Sequence, residues 1–226
     1  MEQIYKDQAK KERRKREQER LYKREILDVA LELFSERGFH NVSMQEIAQK
    51  AEFGLGTLYK FFGNKEGLYK QLVLEKAISC HKLLNVALEQ SSDPLLALEA
   101  YINGKLSFFR ENKAFIRLYL TETQGARFNI KVGLDKELLS LHEDIIGKLT
   151  RVFEQGFKDK IFIKVATARV LAISLNGLTN AIIMEWLDND SECNMPDARK
   201  IMRIFLGSLL PDKIVKDLRE KGIWKE

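Results

Sequence analysis

Gly56, Thr57, Tyr59, Lys60 and Lys65 stand close together, in and just after the stretch Gly54-Leu55-Gly56-Thr57-Leu58-Tyr59-Lys60-Phe61-Phe62. Their shared chemistry is contact with phosphate and base edges. The Thr57 hydroxyl reaches a phosphate or a base edge, and the Tyr59 phenol donates to a phosphate oxygen. Lys60 and Lys65 add charge on the same side. Gly56 has no side chain to hold a polynucleotide backbone away. Slightly upstream, Gln45 has the amide that pairs with two edge atoms of adenine. Backbone N–H groups at Asn64-Lys65, at the start of a helix, form a ready anion site.

Such residues work only on short helices held at a fixed crossing angle. The segment Ile26–Leu72 supplies those helices. A first helix runs to about Arg37 on an apolar stripe of Ile26, Leu27, Ala30, Leu31 and Phe34. Gly38 ends it as a left-handed cap. Ser43 with Glu46 three residues on makes a capping box for a second helix. Ala48 and Ala51 are small enough for a close helix crossing. A third helix spans about Leu55–Phe61. Gly63-Asn64 stops it, and Asn64 caps a fourth that continues to about Gln90. This is the layout of a helix-turn-helix, whose second helix enters the major groove while the first braces it.

Charge is distributed to match. The net +5 of the 226 residues lies entirely in residues 1–24, which hold ten Lys/Arg against five Asp/Glu; the rest holds 28 of each. Two readings of this basic arm stand side by side. It follows phosphates, or it is a solvated helix with i,i+4 pairs such as Glu12–Arg16. Enzyme chemistry finds no support. His40, His81 and His142 are scattered with no metal-ligand spacing, Cys80 and His81 point about 100° apart on a helix, and no nucleophile elbow occurs. No metal or cofactor is expected. The two cysteines make no disulfide framework. No signal peptide and no apolar run near 18 residues is visible, which fits a reducing cytoplasm.

Over about 50 residues, Ala30, Phe34, Gly38, Phe39, Ser43, Ile47, Ala48, Ala51, Gly56, Thr57, Leu58, Tyr59, Phe62, Lys65, Glu66 and Leu68 match one pattern in order and spacing. The segment resembles the N-terminal domain of the TetR/AcrR family of transcriptional regulators. The resemblance implies that Ser43 caps the second helix and touches phosphate, and that Met44 and Gln45 face DNA. It places Leu55, Gly56 and Thr57 near base edges or adjacent phosphates. It gives Tyr59, Lys60 and Lys65 backbone contacts, Phe61 a groove-edge position and Phe62 a packing one. Leu55 either touches a thymine methyl or packs. Two positions depart from the family: Glu52 stands where Gly is usual in the turn, and Gly54 where Ser is usual. Either Glu52 adopts a left-handed conformation, at about 1 kcal/mol, or Gly54 absorbs the strain.

Beyond Ser91-Ser92-Asp93-Pro94 the chain reads as further helices near 94–111, 113–124, 134–157, 164–188 and 196–210, with loops at 125–133 and 188–191 and a short tail helix after Pro211. The fold expected is all-α. It has an arm (1–24), a helix-turn-helix domain (25–70), a helical regulatory and dimerisation domain (71–211) and a tail (212–226). Aromatic and polar residues on these helices suggest a ligand pocket from Phe108, Phe115, Tyr119, Glu122, Thr123, His142, Asn176, Thr179 and Asn180. Residues 164–188 are too apolar for a helix with one buried face, so a partner is expected to cover the other. The resemblance makes the last two long helices a dimer interface, with Ala168, Ala172, Leu175, Ile182, Trp186, Ile201, Phe205 and Leu209 in it. The protein that emerges is a homodimer bound to palindromic double-stranded DNA. It acts as a repressor released by a small apolar effector, or, in the alternative, answers to a protein partner or to no effector.

Overall fold

The computed structural model describes residues 2–123, 136–188 and 197–220, with side chains for 8–120, 136–187 and 197–220. The described residues are all-α: ten helices and no strand. Two compact units emerge, one from Met1–Glu75 with Ala114–Arg127, the other from Lys76–Lys113 with Phe128–Glu226. The division falls inside a helix after Glu75, and the expected contiguous domain 71–211 is interrupted by the segment that joins the first unit.

In the first unit α1 (Glu2–Arg37) is a single helix through arm and core. It ends at Gly38, whose φ of +78° closes the turn and whose N–H bonds to the Phe34 carbonyl. α2 (Met44–Lys50) starts at the capping box read from sequence. The Ser43 Oγ accepts from the Glu46 N–H, and Glu46 accepts from the Ser43 N–H at 2.8 Å. A cap of this kind stabilises by about 1 kcal/mol. α3 (Leu55–Phe62) follows, then α4 (Lys65–Glu89), where the Asn64 side chain accepts from the Gly67 N–H at 2.7 Å. Ile26, Leu27, Ala30, Phe34, Ile47, Leu58, Phe62, Leu68 and Leu72 are buried, so α1 to α4 share one core. Phe39 joins it through ring contacts with Phe34 at 5.3 Å and Tyr69 at 5.2 Å.

The second unit holds the end of α4 with α5 (Pro94–Glu111), α7 (Lys136–Lys158), α8 (Ala168–Asp188), α9 (Ala198–Leu206) and α10 (Asp212–Glu220). α6 (Lys113–Thr123) falls in the first unit from Ala114 onward. Asp93 caps α5, with Pro94 at its first position. Apolar side chains at helical spacing on α7 (Ile145, Ile146, Leu149, Phe153) build the core with Leu98, Ile102, Leu175 and Ile201. Two boundaries differ from the sequence reading. α8 begins four residues late because the Thr167 hydroxyl accepts from the Val170 N–H, while the Ile163 N–H bonds to the Leu209 carbonyl at 2.7 Å. α9 stops at Leu206, whose carbonyl accepts from the N–H groups of Leu209 and Leu210. The expected loops at 125–133 and 189–191 lie outside the described residues.

Contrary to the expectation that no apolar run approaches a membrane span, α8 qualifies by length and composition over Ala168–Leu187, with a mean hydropathy of 1.4. Its Ala, Gly, Ser and Thr residues are small rather than strongly apolar. Its buried residues, Ala168, Leu171, Ala172, Leu175, Thr179, Ile183 and Leu187, form one stripe inside the unit.

The departure at the turn between α2 and α3 resolves onto one residue. Glu52 has φ +58°, whereas Gly54 is extended at φ −64° and ψ 136°. The glutamate therefore sits in the left-handed region, where a Cβ is strained by about 1–2 kcal/mol, partly offset by the lower unfolded-state entropy of a non-glycine. Glu52→Gly should raise unfolding stability by about 0.5–1 kcal/mol in urea titrations. An unchanged or lowered midpoint would show that the Glu52 side chain compensates the strain.

Candidate functional site

α2 and α3 present their outer surfaces to solvent around an open hollow of about 460 Å³, lined by Ser43, Met44, Gln45, Leu55, Tyr59 and Lys65 together with His40 to Val42 and Glu46. The sequence separates these residues by as many as 25 positions; the turn after α2 brings them together. Tyr59 is 48% exposed and Leu55 38%, and Gln45, Gly56 and Lys60 are exposed too. Thr57 is half-buried beside them. On α3 the opposite stripe, Leu58 and Phe62, is buried, so the helix divides cleanly into an anchoring and an outward face.

Three of the expected DNA-facing residues are engaged within the domain, and Ser43 caps α2 as the resemblance implied. Met44 is 6% exposed: it packs into the domain core and forms only the floor of the hollow. The Lys65 ammonium is 2.9 Å from the carbonyls of Phe39 and Val42 and 3.4 Å from that of His40, and lies 4.5 Å from the Phe39 ring centroid. An ammonium has three donors, and this one spends them on the turn after α1. Ser43 has its hydroxyl engaged with the Glu46 carboxylate at 2.7 Å. Hydrogen bonds from Ser43, then from Arg37, hold the exposed Glu46 carboxyl down to about 2. The capping box therefore stays ionised far below neutral pH. Lys65 and Ser43 shape the surface, which leaves Gln45, Leu55, Gly56, Thr57, Tyr59 and Lys60 to meet a ligand.

The arm is fastened at its root to the same face. Tyr22 meets the Phe53 ring edge-on at 5.3 Å, and the Lys23 ammonium lies 5.5 Å from the Phe61 ring centroid. Phe61, expected at a groove edge, is half-buried there. Residues 8–18 of α1 are exposed without exception.

In the second unit the expected pocket residues separate. Phe108 is buried core, and Thr179 donates its hydroxyl to the Leu175 carbonyl at 2.8 Å. Phe115 and Tyr119 belong to the first unit and stack on each other at 6.2 Å. The side chains of Glu122 and Thr123 lie outside the described residues. Asn180 is half-buried and His142 exposed. Asn176, however, meets a group that sequence reasoning missed: its Oδ1 accepts from the Lys105 ammonium at 2.5 Å and from the Tyr101 phenol at 2.9 Å. Lys105 is only 5% exposed. Its signal was present, since it falls four residues after Tyr101 within the apolar stripe Leu98, Ile102 and Leu106 of α5.

The dimer residues read from sequence are largely spent inside the chain. Ala168, Ala172, Leu175, Ile201 and Leu209 are buried in their own unit. Ile182, Trp186 and Phe205 are half-buried, with the Lys113 ammonium 4.9 Å from the Trp186 ring centroid and Phe205 against Phe153. Periodicity marks an apolar face but not which of two faces turns inward. On and beside α8 and α9 the exposed apolar side chains include Val165, Val170, Ile173 and Ile204.

Comparison with known proteins follows the same geography. Residues 26–72 match the family described as "Bacterial regulatory proteins, tetR family". The transcriptional regulator RutR of Escherichia coli O157:H7 is 33% identical over 122 residues, which covers 54% of this chain and 57% of that protein. The match thus spans little more than half of that relative's length. The fatty acid metabolism regulator protein of Bacillus subtilis is 21% identical over 172 residues, 76% of this chain and 86% of that one. Among solved structures, the TetR-family regulator PfmR of Thermus thermophilus superposes with a TM-score of 0.64 at 22% identity, over 82% of this chain and 99% of that one. FadR of Bacillus subtilis in complex with stearoyl-CoA gives 0.66 at 18% identity, over 81% and 97%. At these identities the structures establish a shared fold.

Two outcomes are expected from this geometry. A Cβ placed on Gly56 meets nothing within 4 Å, so the chain itself does not require glycine there. Gly56→Ala should fold with equal or greater stability, since alanine favours helix by about 1 kcal/mol, yet lose DNA affinity in anisotropy titrations; full affinity would remove Gly56 from the contact surface. Burial pushes the Lys105 ammonium down to about 8 from its ordinary 10.5. The folded chain therefore releases this proton before the unfolded chain does, and stability gains as pH climbs from about 8 to 10.5. That gain should appear in the difference between the wild type and Lys105→Met in urea melts; a flat difference would contradict it.

Proposed function

The chain belongs to the tetR family of bacterial regulatory proteins, and from that premise we propose that it is a sequence-specific DNA-binding transcriptional repressor, acting as a cytoplasmic homodimer and released from a palindromic operator by a small, largely apolar effector. The observation that carries this reading is the outward face of α3. Leu55, Gly56, Tyr59 and Lys60 are exposed together beside Gln45, on a helix whose other face is locked in the core. A helix about 12 Å long with its N-terminal residues free is suited to the major groove. Gly56 brings the backbone close, Gln45 reads a base edge, and Tyr59 and Lys60 hold phosphates.

A homodimer is favoured by apolar residues left exposed on α8 and α9 of the second unit. Val170 and Ile173 are each 50% exposed and Ile204 is 66%. Two copies meeting there would carry two recognition helices into grooves about 34–36 Å apart. An effector is favoured by the Bacillus subtilis regulator solved with stearoyl-CoA, a molecule with a long apolar body. The path for its signal is α4. This one helix starts at Lys65 in the first unit and continues into the second. There it is tied to α7 by His81 with Asp144 at 2.8 Å and by Glu89 with Lys148 at 2.6 Å. An effector that shifts α7 moves α4 and spoils the spacing of the recognition helices without touching DNA.

The basic arm extends the same surface. As a helix its 23 residues before Glu25 reach about 34 Å, enough to follow phosphates beyond the groove that α3 enters. Selection from a random DNA pool should enrich a palindrome; a pool that stays random would overturn the reading. On the selected site, log affinity should fall steeply with log salt. A chain lacking residues 2–20 should show a slope flatter by about 0.9 for each phosphate that the arm neutralises. An unchanged slope would assign the arm to solubility alone.

A further inference from the structure

The second unit buries a positive charge that no carboxylate among the described residues neutralises. Lys105 is 5% exposed on α5, and among the described residues its ammonium pairs with no carboxylate. Its acceptors are neutral: Asn176 Oδ1 at 2.5 Å and the Tyr101 phenol oxygen at 3.4 Å. The ammonium also lies 5.7 Å from the centroid of the Tyr101 ring. Cys80 on α4 is within electrostatic reach, and burial pushes its thiol up to about 11. Burial pushes the Tyr101 phenol up as well. Both are therefore uncharged near neutral pH. His142 on α7 is within electrostatic reach of the ammonium, and its partial burial shifts its imidazole toward the neutral form. Among the described residues, the groups that contact the Lys105 ammonium are thus dipoles rather than counter-ions.

A lone buried ammonium costs several kcal/mol of solvation that neutral dipoles do not return, and an anion in direct contact returns most of it. The ammonium has three donors against these two acceptors. Tyr101 adds a phenolic O–H, and rotating the Asn176 amide presents two N–H donors in place of its oxygen. Donors from α5 and α8 thus converge on one point. Asn176 itself is half-buried, so the cluster reaches toward the surface at that side.

We propose that Lys105, Tyr101 and Asn176 form the seat for the anionic head of the effector, an amphipathic molecule bearing one carboxylate or phosphate on an apolar body. This rests on the effector-controlled reading given above and names the chemistry that reading leaves open. The apolar body lies among aliphatic and aromatic side chains of the second unit, while the head replaces Asn176 Oδ1 as the acceptor for Lys105.

The test uses the full chain in titration calorimetry with four submicellar probes: dodecanoate, dodecyl phosphate, dodecanol and dodecyltrimethylammonium. The wild type should bind one or both anions about 10- to 100-fold more tightly than dodecanol, the range expected for a hydrogen bond to a charged group. Which anion binds more tightly separates a carboxylate effector from a phosphate one. In Lys105→Met the preference should shrink to within about threefold, with dodecanol affinity kept, and Tyr101→Phe should lose part of it. Lys105→Met removes a buried charge and should melt no lower than the wild type, which a thermal scan checks.

Equal binding of anions and dodecanol, binding of none of the four, or an anion preference that survives Lys105→Met would each overturn the proposal. DNA anisotropy on the same samples, without probe, separates this from the regulator reading. Wild type and Lys105→Met that bind the selected DNA alike while no anion binds would sink the anion seat alone. Failure of the wild type to bind any DNA would sink the regulator reading, and calorimetry would still judge the seat.

Discussion

Three carbonyl oxygens of the turn after α1, from Phe39, His40 and Val42, converge on the Lys65 ammonium at the start of α4. Hydrogen bonds from a charged donor stabilise by about 1.5–3 kcal/mol each, and here three of them join segments 23 to 26 residues apart. The turn they fix leads directly into Ser43, the capping box and α2. The Arg37 guanidinium closes the same turn from the other side, on Glu46 at 2.8 Å and on the Asn41 carbonyl at 3.1 Å. The angle at which α3 leaves the domain is therefore set by two cations engaged inside the domain. Lysine at 65 holds the frame on which the exposed face of α3 stands.

The two units handle positive charge in opposite ways. In the first, eight of the arm's ten basic residues are exposed among the described side chains, where screening makes each worth little to the fold and leaves their charge turned to solvent. In the second, a single ammonium is taken out of water among neutral dipoles, where its charge is felt strongly and over a short range. The first arrangement suits a long polyanion met along its length. The second suits one small anion enclosed on several sides. α4 is the element that both arrangements share.

Helix order and most boundaries were legible in the sequence because local chemistry punctuates them. Gly38, the Ser43–Glu46 box, Asn64 and Asp93-Pro94 each end or begin a helix by a mechanism confined to a few residues. Departure from the family pattern flagged Glu52 and Gly54 as the odd residues of their turn, and only the backbone angles decided between them. What stayed hidden depended on distant partners. Lys65 reads as one more basic residue near a recognition helix until the carbonyls of residues 39–42 are seen around it. α8 shows apolar side chains on two faces, and the choice of Ala172 and Leu175 for the inside rather than Val170 and Ile173 follows from the shapes of α5 and α7. Lys105 was visible as a charge on an apolar stripe, but its meaning required Asn176, 71 residues away, to stand at its tip.

On the proposed reading, the outward face of α3, with Gly56 at its closest approach, sits in the major groove twice, one helical turn apart. Methylation protection on the selected DNA reads this directly, because dimethyl sulfate attacks guanine N7 in the major groove and adenine N3 in the minor groove. Two blocks of guanine N7 protection are expected, centred about 10 base pairs apart on one side of the duplex. A single block, or protection confined to adenine N3, would contradict it.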